Sequence, residues 1–235
     1  MAEKSIEAIS SEWLNQPELG RLKYVKVLAI ASILPVIFSM YGWIFNIEIL
    51  KSFFPNQLPM KFITSVCFFF SALTIIFVSE SVKGKREVSQ VVLPATSISV
   101  LLLMSIAVTG SYLNVETGIE SLFVGVQSRT TTLALGDMPA VVEVISFIFI
   151  AMIGMLTLFR IRYLKNVAFF CGVFIFICGI LALVGNLINN DFLNFNFFVF
   201  DYPIVFSASI IFIILGLALC ILGRVVNMLP SYPYD

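Results

Sequence analysis

Six long, predominantly apolar runs dominate the chain, at residues 24–44, 60–79, 91–113, 139–159, 166–188 and 203–223. A helix needs about 20 residues to cross a bilayer's hydrocarbon core. Inside that core no water satisfies the backbone, so each run must be helical. Composition agrees, with 60% apolar residues, 12% charged and a mean hydropathy of +1.03. A soluble domain of 235 residues needs more charge than that to cover its surface. The expected fold is all-α: a polytopic membrane protein whose six transmembrane helices form three tandem hairpins, at about residues 24–79, 91–159 and 166–223. The membrane domain then spans 24–224, between an N-terminal arm (1–23) and a C-terminal tail (225–235).

The arm has no cleavable signal pattern, because charged and apolar residues are mixed through it. Ile6, Ile9, Trp13 and Leu14 recur at helical spacing, which suits a helix lying flat at the membrane surface; a partly ordered tail is the equal alternative. Positive charge sets the orientation. Lys4, Arg21, Lys23, Lys26, Lys83, Lys85, Arg86, Arg160, Arg162, Lys165 and Arg224 fall on one side, leaving only Lys51, Lys61 and Arg129 opposite. Both termini are therefore expected in the cytoplasm, with the chain in the plasma (cytoplasmic) membrane.

Each odd-numbered span closes on Gly-x-x-x-Asn-x-acid: GWIFNIE from Gly42, GSYLNVE from Gly110 and GNLINND from Gly185. Each even span opens near a proline, Pro59, Pro139 or Pro203. Returning to the same side each time, three such hairpins would surround a pseudo-threefold axis along the membrane normal. Gly42, Gly110 and Gly185 are read as packing positions that let a neighbour approach, and the asparagines as left-handed helix ends. A sharper reading gathers Asn46, Glu48, Asn114, Glu116, Asn189 and Asp191 into an outward-facing ring of oxygen donors for a hard cation. The loop after Leu113 is the longest and carries Arg129; the loop after Ile188 is rich in phenylalanine, beside Asp191 and Asp201.

Glu143 stands one turn inside the fourth span, where an ionisable group by default suggests function. It is shallow enough to reach the interface, and Lys61, near the start of the second span, is the expected partner. Cys67, Cys171, Cys178 and Cys220 all fall within spans, as small apolar packing residues. The chain has no histidine, which excludes His-ligated haem, His-based zinc catalysis and Ser-His or Cys-His nucleophiles. With no nucleotide loop or metal cluster, no enzyme activity and no cofactor are expected.

The first hairpin carries Gly42-Trp43, Leu50, Lys51-Ser52, Pro55, Met60-Lys61-Phe62, Thr64 and Cys67-Phe68. This run resembles the repeating unit of the multi-pass sensory regions found ahead of PAS, histidine kinase or diguanylate cyclase domains in prokaryotes. Ile63 and Ser65 replace that family's Asn and Ala; TGIESLF from Thr117 is similar to its second-unit pattern, and the third unit matches in outline. The resemblance implies a six-helix input module that detects a membrane or envelope condition. Its partner would be a kinase- or cyclase-type signalling protein or a membrane complex. In that family the sixth span leads into signalling domains, whereas here the sequence stops soon after Gly223, as a free-standing relative or an excised part would. The closing YPYD, Tyr232 to Asp235, is similar to the opening of a common epitope tag.

Two other function classes stand beside the sensor. A small transporter or channel would need polar residues deep in the spans, and offers chiefly Ser32, Ser71, Ser99, Ser105 and Ser209. An accessory subunit would use small residues such as Gly154, Gly172, Gly179 and Gly216 to pack beside a host complex. Expected partners are the lipid bilayer, a protein partner and a second copy of the chain, with no nucleic acid.

Overall fold

The computed structural model describes residues 17–52, 57–83, 87–113, 138–159, 163–190, 192–195 and 201–228. Seven helices lie among them: α1 (Pro17–Ile44), α2 (Glu48–Ser52), α3 (Phe62–Val82), α4 (Glu87–Leu113), α5 (Val141–Leu158), α6 (Leu164–Ile188) and α7 (Phe206–Met228). All but α2 are long and apolar enough to cross a membrane, so the fold is the expected all-α, six-span membrane architecture. Two short segments, β1 (Met138–Pro139) and β2 (Asp201–Tyr202), pair in parallel just ahead of α5 and α7, with Met138 opposite Asp201 and Pro139 opposite Tyr202. The surface arm at Ile6, Ile9, Trp13 and Leu14 lies outside the described residues, as do the long loop with Arg129 and the tail from 229.

Some helix ends match the expected limits and others depart from them. At the Asn46 end, α1, α4 and α6 stop at Ile44, Leu113 and Ile188, as the apolar runs do. At the opposite end, helices run past the hydrocarbon-length stretch: α1 starts at Pro17 rather than 24, α4 at Glu87 rather than 91, and α7 continues to Met228. Polar residues there remain helical because leaving the hydrocarbon is not itself a stop signal, and each residue added to an existing helix gains one more backbone hydrogen bond. Conversely α3, α5 and α7 begin two or three residues after Pro59, Pro139 and Pro203 rather than at them. A proline holds its predecessor extended, and the amide after it is used elsewhere: Met60 N–H donates to the Lys51 carbonyl (3.0 Å) and Ile204 N–H to that of Asn194 (3.2 Å).

The six long helices close a ring in chain order, each packing on the next and α7 returning to α1. Burial separates two layers. The apolar windows of α3, α5 and α7 are 67%, 44% and 61% buried, against 33%, 28% and 39% for α1, α4 and α6. The three even-numbered spans therefore form the interior, and the odd ones present apolar faces such as Leu34, Phe38, Leu102 and Phe170 outward, where lipid would cover them. At the centre Phe68, Phe147 and Phe212 meet ring to ring, with centroids 4.7–5.5 Å apart. Each is the seventh residue beyond the one that precedes its helix, namely Lys61, Ala140 and Val205.

Candidate functional site

One turn nearer the Asn46 end, the third residue beyond those same starts is Thr64, Glu143 and Ala208. These three line a crevice of about 10 Å³, room for a single water molecule, together with Met60, Lys61, Pro139, Pro203 and Val205. Glu143 is only 4% exposed, and Oε1 accepts a 2.8 Å hydrogen bond from the Thr64 hydroxyl on α3. Lys61 borders the crevice and is close enough for its charge to act on the carboxylate. The third position is alanine, so Ala208 brings no polar group to the crevice.

Backbone geometry adds positive potential to this spot. The first turns of α3, α5 and α7 all border the crevice. Neither Lys61 nor Ala140, the residues leading into α3 and α5, caps its helix with a side chain. Helix starts carry unsatisfied amides and the positive end of the macrodipole, which favour an acid in the first turn. Glu143 is that acid in α5. Its neighbour below is the phenylalanine triad, all three rings buried at 2% exposure or less.

The repeated Gly-x-x-x-Asn motif builds the rim of the same end. Asn46 (φ 56°) and Asn189 (φ 52°) are left-handed. The residue after each asparagine then bonds back in the same way, Ile47 N–H to the Gly42 carbonyl (2.8 Å) and Asn190 N–H to that of Gly185 (2.9 Å). Gly42 and Gly185 do let a neighbour approach, but the neighbour is the chain's own return, the short α2 at Gly42 and the turn at Leu193–Asn194 at Gly185, rather than another membrane-spanning helix. A Cβ on Gly42 would lie 2.8 Å from Leu50 and Lys51 backbone atoms, and one on Gly185 would meet the Leu193 and Asn194 backbone at the same distance. The helix end has turned through a tight left-handed corner, which brings the next segment back against the last turn. Gly110 is buried in α4.

Of the expected cation ring, Asn114, Glu116 and Asp191 lie outside the described residues. Asn46 and Glu48 are exposed, and Asn46 Oδ1 already receives the Lys51 ammonium at 2.6 Å. Lys51 itself is 4% exposed and sits 4.7 Å from the Trp43 ring centroid, while the Trp43 indole N–H donates to the Met60 carbonyl (2.7 Å). Burial holds the Lys51 ammonium below its usual pKa, and Glu48 opposes part of that shift. The clip thus links the rim to Met60 and so to the crevice.

Glu143 and Lys61 border one crevice, Glu143 accepts a hydrogen bond from Thr64, and its side chain is buried rather than at the interface. Thr64, the phenylalanine triad and the Lys51 clip were not legible beforehand. Aligning the even spans on their prolines would have matched Phe68 with Phe212 and put Phe147 one residue out of step. At the opposite end Glu80 bridges Lys26 of α1 (2.8 Å) and Lys83 (3.7 Å). Comparison with protein-family models, curated proteins and solved structures finds no match.

Proposed function

We propose that this chain is a sensory or regulatory module of a prokaryotic plasma membrane, with both termini cytoplasmic, built from three copies of one hairpin around a central axis. It reads a condition at its outer face and passes it, without catalysis, to a signalling protein or membrane complex at the inner face. The observation that carries this reading is the buried Glu143–Thr64 contact, which joins two hairpins on the axis above a closed aromatic floor. A bond between hairpins that depends on one charged group is a natural input, since changing that charge changes how the hairpins pack. The resemblance of the first hairpin to sensory repeat units supports the same conclusion.

The Phe68–Phe147–Phe212 contact weighs against a transport path, because it fills the axis directly below the crevice. Three of the five deep serines are placed away from any route. Ser32 bonds to its own helix at the Ala29 carbonyl, Ser105 faces outward, and Ser209 is tied to the Val205 carbonyl and to Asn186. The glycines suited to an accessory subunit are already used inside the fold: Gly154 against Ser97 and Thr74, Gly172 against Leu219–Cys220, Gly179 against Ile213, and Gly216 against Phe176.

The test is capture of partners from native membranes by the wild-type chain and by Glu143→Gln. A cytoplasmic kinase- or cyclase-type protein whose activity differs between the two supports the reading. Solute flux through liposomes holding only this chain, with no such partner, overturns it in favour of transport.

A further inference from the structure

We propose that the input read by the Glu143 crevice is the proton, and that the carboxylate is a clasp released by acidification; this rests on the sensory reading above. The argument begins with size. A crevice of about 10 Å³ admits one water molecule and excludes organic solutes. Charge narrows the choice further. Three helix starts and Lys61 make the spot positive, which disfavours a metal cation, and Glu143 already occupies it as the anion. Among the described residues Glu143 is the one buried acid, so a proton delivered through water is the species left that can bind there.

Ionised, Glu143 accepts the Thr64 hydrogen bond, and its charge draws Lys61 and the first turns of α3, α5 and α7 together. Protonation adds one hydrogen from solvent water to a carboxylate oxygen and removes the negative charge. The helix starts and Lys61, all of one sign, then face each other uncompensated, and the three first turns separate. The aromatic floor stays closed, so the change is a rearrangement of the rim and not a pore. The groups facing Glu143 are Lys61, Thr64 and, electrostatically, Cys67 from α3. From the α7 side come only Pro203, Val205 and Ala208, and neither α4 nor α6 contributes to the lining.

Trp43 supplies the probe, because its indole N–H is bonded to the carbonyl of Met60, which borders the crevice. The experiment follows Trp43 emission of the full chain in nanodiscs, in a Trp13→Phe background, from about pH 4 to 8, the range around ordinary carboxylate and histidine titration. The expected result is a single-proton transition that Glu143→Gln abolishes, leaving emission at the acidic endpoint throughout. Lys51 also touches the indole, so only loss of the transition in Glu143→Gln assigns it to the clasp. Should Glu143→Gln fail to assemble, Thr64→Val replaces it, and the transition must move along the pH axis. A wild-type chain with flat emission, or variants that titrate as wild type does, overturns the proposal. If the transition is present and Glu143-dependent but partner activity ignores pH, the clasp stands and the sensory reading falls. If partner activity responds to another stimulus with Trp43 silent, the clasp falls and the sensory reading stands.

Discussion

The Thr64 hydroxyl donates to Glu143 Oε1 across 2.8 Å, although 79 residues separate the two in sequence. One residue is on α3 and the other on α5, so the bond joins the first and second hairpins where three helix starts converge. Both side chains are at least 95% buried, so neither can exchange its partner for bulk water.

Thr64→Val keeps the shape and removes the donor. A hydrogen bond to a charged group is worth about 1.5–3 kcal/mol, and a buried acceptor left unmade incurs its desolvation cost as well. Thermal unfolding in detergent micelles is expected to show a loss of that size, with Thr64→Ser recovering most of it. Equal stability of Thr64→Val and wild type would mean that the carboxylate is satisfied without α3.

The aromatic floor predicts strong coupling. Phe68, Phe147 and Phe212 each touch the other two, with Phe68 edge-on to both. A single Phe→Ala change leaves a central void and is expected to cost about 3 kcal/mol, near the low end for buried aromatics, because lipid rather than water is the alternative environment. The second substitution removes contacts already lost, so a double variant should be less destabilised than the two singles together. Additive losses would show that the rings act separately.

Much of this architecture was legible in the apolar runs, since helix length in a membrane is fixed by the bilayer and not by distant contacts. The asparagine corners were legible too, because Asn46 and Asn189 act through their own backbone conformation. What stayed hidden depends on register between segments far apart in the chain. Lys51 reads as an exposed loop lysine until the left-handed corner folds it under Trp43. Thr64 reads as an ordinary hydroxyl until α5 is set beside it. Gly42 and Gly185 have the spacing of helix-contact residues, and only the return of the chain identifies what they accommodate.

The two corners should respond differently to glycine. Glycine adopts the left-handed conformation without penalty, whereas alanine there costs about 1 kcal/mol or more. Asn189→Gly is therefore expected to be nearly neutral. Asn46→Gly also removes an acceptor of Lys51, leaving a buried ammonium with one hydrogen bond fewer. It should cost about 1.5–3 kcal/mol more, as loss of a charge-assisted hydrogen bond does. Equal effects in unfolding experiments would place Lys51 outside the clip.

The same lysine gives the rim a pH dependence. Burial lowers the Lys51 pKa from its ordinary 10.5, so in the interval between the folded and unfolded values the unfolded chain binds more protons. Stability then rises with pH through that interval, is complete above 10.5, and falls as pH drops through the folded value. Hydrogen exchange of the α2 amides, measured at rising alkaline pH and corrected for intrinsic rates, should show increasing protection. Lys51→Met should remove the trend, and a trend of opposite sign would mean that Glu48, and not burial, dominates.

The third hairpin makes the sharpest steric prediction. A Cβ on Gly172 would lie 2.6 Å from the Cys220 nitrogen, one on Gly179 2.9 Å from that of Ile213, one on Gly216 2.5 Å from that of Phe176, and one on Gly223 2.6 Å from that of Phe169. All four contacts belong to a single antiparallel register, with glycines of each helix set against the other's backbone. Close approach of this kind is what holds membrane helices together where no hydrophobic drive exists between them. Neither side can yield by turning a side chain, because the opposing atoms are backbone. Alanine at Gly216 must therefore push α6 and α7 apart, and the overpacking is expected to cost about 1–3 kcal/mol. Gly20 provides the control: it lies in α1 with nothing within 4 Å of a built Cβ. Gly20→Ala should be neutral or stabilise by up to about 1 kcal/mol through helix propensity. Gly216→Ala unfolding at the same point as Gly20→Ala would refute backbone contact as the basis of the α6–α7 pairing.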